Sequence, residues 1–182
     1  MNILVISGSR NPDGQTAMAA ESFIEGIGDA GGQSELVFLP PMRIERCRQC
    51  ENDGWGICRS EGKCVIEDDL ASLIEKIKAA DAVAFATPVY FSDLSESLRA
   101  FLDRLRRICV NESGRGGIEG RAVIGICVAG GGGGGAPACT EILDRTLRTC
   151  GFDVLDVIPV RRQNLEAKKA VLRSTGARIA TK

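Results

Sequence analysis

The chain has 182 residues, 44% apolar and 26% charged, with a formal net charge of −1. That length can bury a real core, and the balance is ordinary for a water-soluble globular protein; it excludes a strongly basic face for nucleic acid or a membrane surface. There is no histidine, which excludes Ser-His-Asp and Cys-His catalysis and any His-ligated metal, so chemistry must come from a cofactor, from carboxylates or from cysteine.

Ile3-Leu4-Val5-Ile6 predicts a first buried strand, about Asn2 to Ser7, that breaks into Ser7-Gly8-Ser9-Arg10-Asn11-Pro12-Asp13-Gly14-Gln15-Thr16. A helix of about Thr16 to Asp29 follows, stopped by Ala30-Gly31-Gly32. A strand emptying through a Gly/Ser-rich loop into a helix start is an anion cradle, because the first helical N–H groups lack intrahelical partners and the helix dipole favours negative charge there. Ser9, Gln15 and Thr16 add side-chain donors and Arg10 a cation.

Ser34 to Leu39 reads as a second strand, ended by Pro40-Pro41, and an aperiodic stretch of about Met42 to Ile66 follows. It is too long for a plain connection in a compact domain and is expected to be functional or held by a bound group. Asp68-Asp69 read as a cap on a helix whose Leu70, Leu73, Ile74 and Ile77 share one face. Ala82 to Ala86 is a third strand, ending in Thr87-Pro88-Val89-Tyr90-Phe91, and a helix runs from Asp93 or Ser95 to Arg107. Arg121 to Ala129 is a fourth strand opening into six glycines, Gly130 to Gly135. A helix of about Ala136 to Cys150, a fifth strand of Phe152 to Val160 and a helical tail from Asn164 complete the chain.

This alternation predicts one α/β domain over residues 1–182: a five-stranded parallel sheet of order 2-1-3-4-5, helices on both faces, and a cysteine-rich insert after the second strand. Ligands of such sheets bind beyond the carboxyl ends of the strands, where the strand order reverses. The loops after strands one, three and four then lie side by side. Pro88 fixes its backbone while Val89, Tyr90 and Phe91 offer amides and hydrophobic faces to a flat ring, and the glycines let backbone approach it closely. The Gly-x-Gly-x-x-Gly spacing inside the glycine run is automatic there and carries no weight as a dinucleotide fingerprint.

At these residues the chain resembles the NAD(P)H-dependent FMN reductase and iron–sulfur flavoprotein group of the flavodoxin-like superfamily. Gly8-Ser9-Arg10 with Gly14-Gln15-Thr16 resembles that group's phosphate loop. Cys64-Val65-Ile66-Glu67-Asp68-Asp69 resembles its Cys-x-x-x-Asp-Asp element. Thr87-Pro88-Val89-Tyr90-Phe91 with Leu98-Arg99-Ala100-Phe101-Leu102-Asp103-Arg104 resembles its most recognisable block, with Arg99 where Lys is common. The resemblance implies a flavodoxin-like three-layer sandwich with bound FMN. Ser9, Arg10, Gly14, Gln15 and Thr16 would hold the phosphate, Pro88, Val89, Tyr90 and Phe91 the ribityl chain and ring, and Gly130 and Gly131 would close over it. It also implies a homodimer or homotetramer. No side chain is assigned a catalytic role, because flavin carries the chemistry.

Four of the eight cysteines crowd together as Cys47-x2-Cys50-x7-Cys58-x5-Cys64. Four thiolates at this density could ligate a [4Fe–4S] cluster or zinc, or stand unligated in a lid over the flavin. The other four, Cys109, Cys127, Cys139 and Cys150, read as small hydrophobes of the core. Trp55, flanked by two glycines, reads as an anchor of the insert. Arg99, Arg104, Arg106 and Arg107 read as a solvated or paired helix face, and Asp103 as the structural partner of a nearby arginine.

The leading expectation is an FMN-dependent oxidoreductase that takes a hydride from NAD(P)H and reduces a quinone, free flavin or other small acceptor. An electron carrier delivering to a redox protein through a cluster, and a non-catalytic metal- or nucleotide-binding regulator, are the alternatives. With no signal-peptide pattern and no apolar run long enough to cross a bilayer, a cytoplasmic location is expected, without nucleic acid or membrane as partner.

Overall fold

The computed structural model describes residues 1–110 and 117–182. Five parallel strands, β1 (Asn2–Ser7), β2 (Gln33–Phe38), β3 (Ala82–Pro88), β4 (Ala122–Ala129) and β5 (Asp153–Arg161), form one sheet of order β2-β1-β3-β4-β5. The helices are α1 (Gln15–Asp29), α2 (Ile57–Ser60), α3 (Leu70–Ala79), α4 (Glu96–Cys109), α5 (Ala136–Cys150) and α6 (Leu165–Ala180), with a 3-10 turn at Arg162–Asn164. The strand order is the expected one. The element bounds differ from expectation by a residue or two, and the cysteine-rich insert contains the short α2.

Side chains alternate across a strand, and both sheet faces are covered. Leu4 and Ile6, Val83 and Phe85, and Val123 and Cys127 pack under α3, α4 and α5. Ile3 and Val5, Ala82, Ala84 and Ala86, and Ile124, Ile126 and Val128 face α1 and α6. This double coverage is why the inner strands read as unbroken apolar runs.

The three alanines of β3 keep the second face low, and α1 and α6 press together above it. A Cβ on Gly26 would stand 1.9 Å from the Arg173 carbonyl oxygen, and one on Gly176 would stand 2.0 Å from that of Phe23. The two helices therefore touch backbone to backbone through paired glycines. Arg173 seals the outer edge, its guanidinium on Asp29 at 2.6 Å and Glu25 at 3.0 Å. Replacing Gly26 or Gly176 with Ala is expected to wedge α1 from α6 and cost about 1–3 kcal/mol, read as a lowered urea midpoint with an unchanged slope.

Candidate functional site

At the carboxyl ends of β1, β3 and β4 three loops enclose an open cleft of about 620 Å³. Gly8 donates its N–H to the Ala86 carbonyl at 2.8 Å, and Ser97 Oγ, in the first turn of α4, donates to the Gly8 carbonyl at 3.1 Å. A Cβ on Gly8 would stand 2.3 Å from Ser95 Oγ, so this glycine answers to the close approach of α4. Ser9 Oγ accepts from the Asn11 N–H at 3.3 Å, and Asn11 Oδ1 from the Asp13 N–H at 3.0 Å. The chain then enters α1 at Gly14. No side chain caps that helix start and its first turn holds no acid, so its free N–H groups and positive dipole end are left for an outside acceptor. Ser9 and Thr16 are buried beside them.

After β3, the Val89 N–H bonds to the Val128 carbonyl at 2.9 Å, carrying the sheet one residue further. The chain then reverses in a tight turn, with reciprocal Tyr90–Asp93 backbone bonds of 3.0 and 2.9 Å. Phe91 (φ 50°) and Ser92 (φ 66°) both take the left-handed conformation that side chains disfavour. Arg99 pairs with Asp93 and holds the turn, while the Phe91 side chain is fully exposed. A Cβ on Gly135 would lie 2.8 Å from Ser92 Cα, so the glycine run rests on this turn at one end. At its other side Gln163 Nε2 donates to the Gly131 carbonyl at 3.0 Å, and Gly133, with φ 74°, packs on the Arg161 stem. Four glycines are different. At Gly130, Gly131, Gly132 and Gly134 a Cβ would meet no protein atom within 4 Å.

The cleft wall gathers Ser9, Gly14, Gln15, Thr16, Pro88, Val89, Tyr90, Phe91, Gly130 and Gly131, all singled out from sequence. Arg10 is exposed and does not line it. Arg162 does, and no sequence signal marked it: it follows β5, where a polar turn after a strand looks like any other.

A second constellation lies toward the C-terminal half of α4. Cys47, Cys50, Cys58 and Cys64 line one tight pocket with Arg104 and Arg107. All four are free thiols, and among the described residues no three Cys, Asp or Glu side chains are close enough to grip a single metal ion. Arg104 is not on a solvated face. It is 1% exposed and forms an ion pair of 2.6 Å with Asp68, whose side chain is also shut off from solvent. Its Nη2 donates to Cys64 Sγ at 3.2 Å, and Nη1 to the Glu45 carbonyl at 3.1 Å. Asp68 is accordingly more than a helix cap. It accepts from the Leu70 N–H at 3.2 Å, as a cap would, but also from the Glu45 N–H at 2.8 Å. Asp69 accepts from the Arg43 N–H at 2.7 Å. The acidic pair thus staples the start of the insert to the body. Burial pushes the Asp68 carboxyl up, but hydrogen bonds from Arg104, Glu45 and Leu70 outweigh it and hold its pKa below the ordinary value. For Arg104, burial works against the charge, and Asp68 and Cys64 reverse it, leaving the pKa raised. Trp55 anchors the insert as expected: Arg107 stacks on its ring at 4.8 Å and donates to the Gly54 carbonyl at 2.8 Å.

Residues 1–150 match the NADPH-dependent FMN reductase family. The chain belongs to that family. An iron–sulfur flavoprotein of Methanocaldococcus jannaschii is 30% identical over 131 residues, covering 72% of this chain and 65% of that protein. The chain spans about half to two thirds of the length of the first iron–sulfur flavoproteins it matches. Among solved structures, the NAD(P)H:quinone oxidoreductase from Methanothermobacter marburgensis superposes with a TM-score of 0.72 over 98% of this chain and 96% of that one, at 22% identity. An archaeal flavodoxin does so at 0.61 over the full length of both, at 14% identity. The fold is flavodoxin-like.

Because the folded-state pKa of Asp68 is depressed, the stabilisation from its pair with Arg104 is complete above the ordinary carboxylate value of about 4. It is lost as pH falls through the lower folded value. Asp68→Asn leaves a buried guanidinium without its counter-charge and is expected to cost about 3–5 kcal/mol at pH 7. Urea melts at pH 7 and pH 3 check both: the gap between native and variant should narrow at pH 3.

Proposed function

We propose that the chain binds FMN in the three-loop cleft, takes a hydride from NAD(P)H and passes the electrons to a small acceptor such as a quinone or free flavin. The observation that carries this is the set of cleft-lining glycines at Gly130, Gly132 and Gly134, which neither a protein contact nor a left-handed φ requires. Family membership supplies the prior. Residues with this spacing fit a phosphate at one end and a flat ring at the other. The uncapped start of α1, with Ser9, Gln15 and Thr16, holds the phosphate by N–H and hydroxyl donation. Val89 and Tyr90 give the ring an apolar wall. The bare glycine backbone would leave the ring room that a Cβ would take up. Bound FMN supplies the hydride and electron chemistry, and the protein positions the ring and excludes water. The proposal takes residues 1–182 as one functional unit and includes a homodimer or homotetramer.

The cysteine pocket supports a second role, that of an electron carrier to a protein partner through a [4Fe–4S] cluster. What supports this reading is that four free thiols line one pocket, the donor type that such a cluster takes. Iron and acid-labile sulfide near four atoms each per chain, after anaerobic purification, would establish it. Their absence would return the pocket to a structural lid.

Gly130→Leu and Gly132→Leu test the first reading. A Cβ there meets no protein atom within 4 Å and the loop is open to solvent, so the melting temperature of the FMN-free protein is expected to stay within about 2 °C, a surface-type effect. FMN affinity, read by flavin fluorescence, is expected to fall at least tenfold. Unchanged affinity in both variants would remove the cleft as the flavin site.

A further inference from the structure

The three-loop cleft is charged at one place. Of the described residues that line it, Arg162 alone carries a charge, and none is an acid. The Arg162 side chain is exposed, and among the described residues its guanidinium has no ion-pair or hydrogen-bond partner. The backbone around it, by contrast, is held on both sides. The Arg161 stem packs on Gly133, and the Arg161 N–H donates to Asn164 Oδ1 at 2.8 Å. Gln163 Nε2 donates to the Gly131 carbonyl at 3.0 Å. The turn after β5 is thereby clasped to the glycine run, and it presents an unpaired guanidinium at the cleft wall.

Position decides which anion this charge serves. In the order β2-β1-β3-β4-β5 the carboxyl ends of β1 and β5 stand three strand spacings apart, about 14 Å. The phosphate cradle at the start of α1 belongs to the β1 end. Arg162 belongs to the β5 end, beside the glycine run. It is therefore not the counter-charge of the FMN phosphate, and the anion it meets arrives with a molecule that reacts at the ring. Two hydride donors can arrive there. Both carry a pyrophosphate, and NADPH adds a phosphate monoester on the adenosine ribose where NADH has a free 2′-hydroxyl. Dinucleotide sites tell the two apart with an acid that accepts from the hydroxyl, or with an arginine that takes the phosphate. This cleft has the arginine and lacks the acid. A guanidinium offers a planar fork of donors that matches phosphate oxygens two at a time.

We propose that Arg162 binds the 2′-phosphate of NADPH and makes the cleft prefer NADPH over NADH. The inference rests on the reading of this cleft as the site of FMN and of hydride transfer. Arg162 is a specificity residue and touches no reacting atom. The contact it makes is the same before and during hydride transfer, so its loss raises KM for NADPH and leaves kcat in place.

The test uses the full chain loaded with FMN, native and as Arg162→Ala, Arg162→Lys and Arg178→Ala. Arg178 is an exposed cation in the last turn of α6, outside the cleft wall, so its variant removes the same charge elsewhere. In Arg162→Ala, KM for NADPH is expected to rise about tenfold, the scale of one charge-assisted contact. Its kcat, and both constants for NADH, are expected to stay within about twofold of native. Arg162→Lys, which keeps the charge without the fork, is expected to fall between, and Arg178→Ala to match the native protein because salt screens a distant exposed charge. Calorimetry supplies a readout that needs no turnover. Arg162→Ala is expected to weaken binding of adenosine 2′,5′-bisphosphate about tenfold and to leave that of 5′-AMP unchanged. Equal losses for NADPH and NADH, or for both adenosine nucleotides, overturn the inference. So does native protein that uses both donors equally, or an Arg178→Ala shift as large as that of Arg162→Ala. Each of these leaves the flavin reading of the cleft intact. Native protein that binds no FMN, or whose FMN neither donor reduces, overturns that reading and the inference together.

Discussion

One buried ion pair ties the elaborated part of this protein to its generic part. Arg104 and Asp68 are both withdrawn from water, and neither is tolerable there without the other. The Nη groups of Arg104 also reach carbonyl oxygens of the insert and the sulfur of Cys64, so satisfying the charge requires the insert to lie where it does. Asp68 and Asp69 complete the arrangement by accepting from the backbone at Glu45 and Arg43. A 25-residue excursion with one short helix, whose Met42, Ile44 and Ile66 also reach the core, is thereby given a fixed place against α3 and α4. The cysteines inherit that place.

The same economy governs the glycines, which divide into two kinds. Gly8, Gly26, Gly135 and Gly176 are small because protein backbone or side chains crowd them. In the cleft, Gly130, Gly132 and Gly134 are small although nothing crowds them and no left-handed φ calls for glycine. The first kind explains how α4 can start against β1 and how α1 and α6 can touch. The second kind points outward, to something that the fold leaves room for. Composition alone cannot separate the two, since a glycine at a helix crossing and one over a ligand cleft are the same letter.

That is also where reading the sequence reached its limit. Strand order, helix placement and the three-loop cleft were legible because hydrophobic period and loop composition are local signals, and a parallel sheet with right-handed crossovers leaves few alternatives. Arg104 was not legible: it sits in a helix with three other arginines, and only the approach of Asp68, 36 residues earlier, makes it a core residue. Asp68 looked like a cap because it stands one residue before the N-cap Asp69 and accepts from the Leu70 N–H, and its larger role depends on the same distant contact. Arg162 enters the cleft from beyond β5, and Arg10 leaves it, through loop geometry that residue type does not encode. The α1–α6 contact was hidden because Gly26 and Gly176 each look like a weak point in their own helix.

The pairing of α1 with α6 has a consequence for how the molecule comes into being. Phe23 and Ile27 need a cover that is made about 150 residues later. During synthesis, β1, β3 and β4 can assemble between α1 and the α3–α4–α5 layer while the flank of α1 that α6 covers stays wet. Closure of that flank is a contact of high sequence separation, which slows folding and prolongs the life of a half-covered intermediate. Such a species presents the uncovered flank of α1 beside a partly formed first cleft loop, since α1 begins where that loop ends. Docking of the last helix thus completes the core, and it fixes the entrance geometry of the cleft on the far side of the chain from its own sequence.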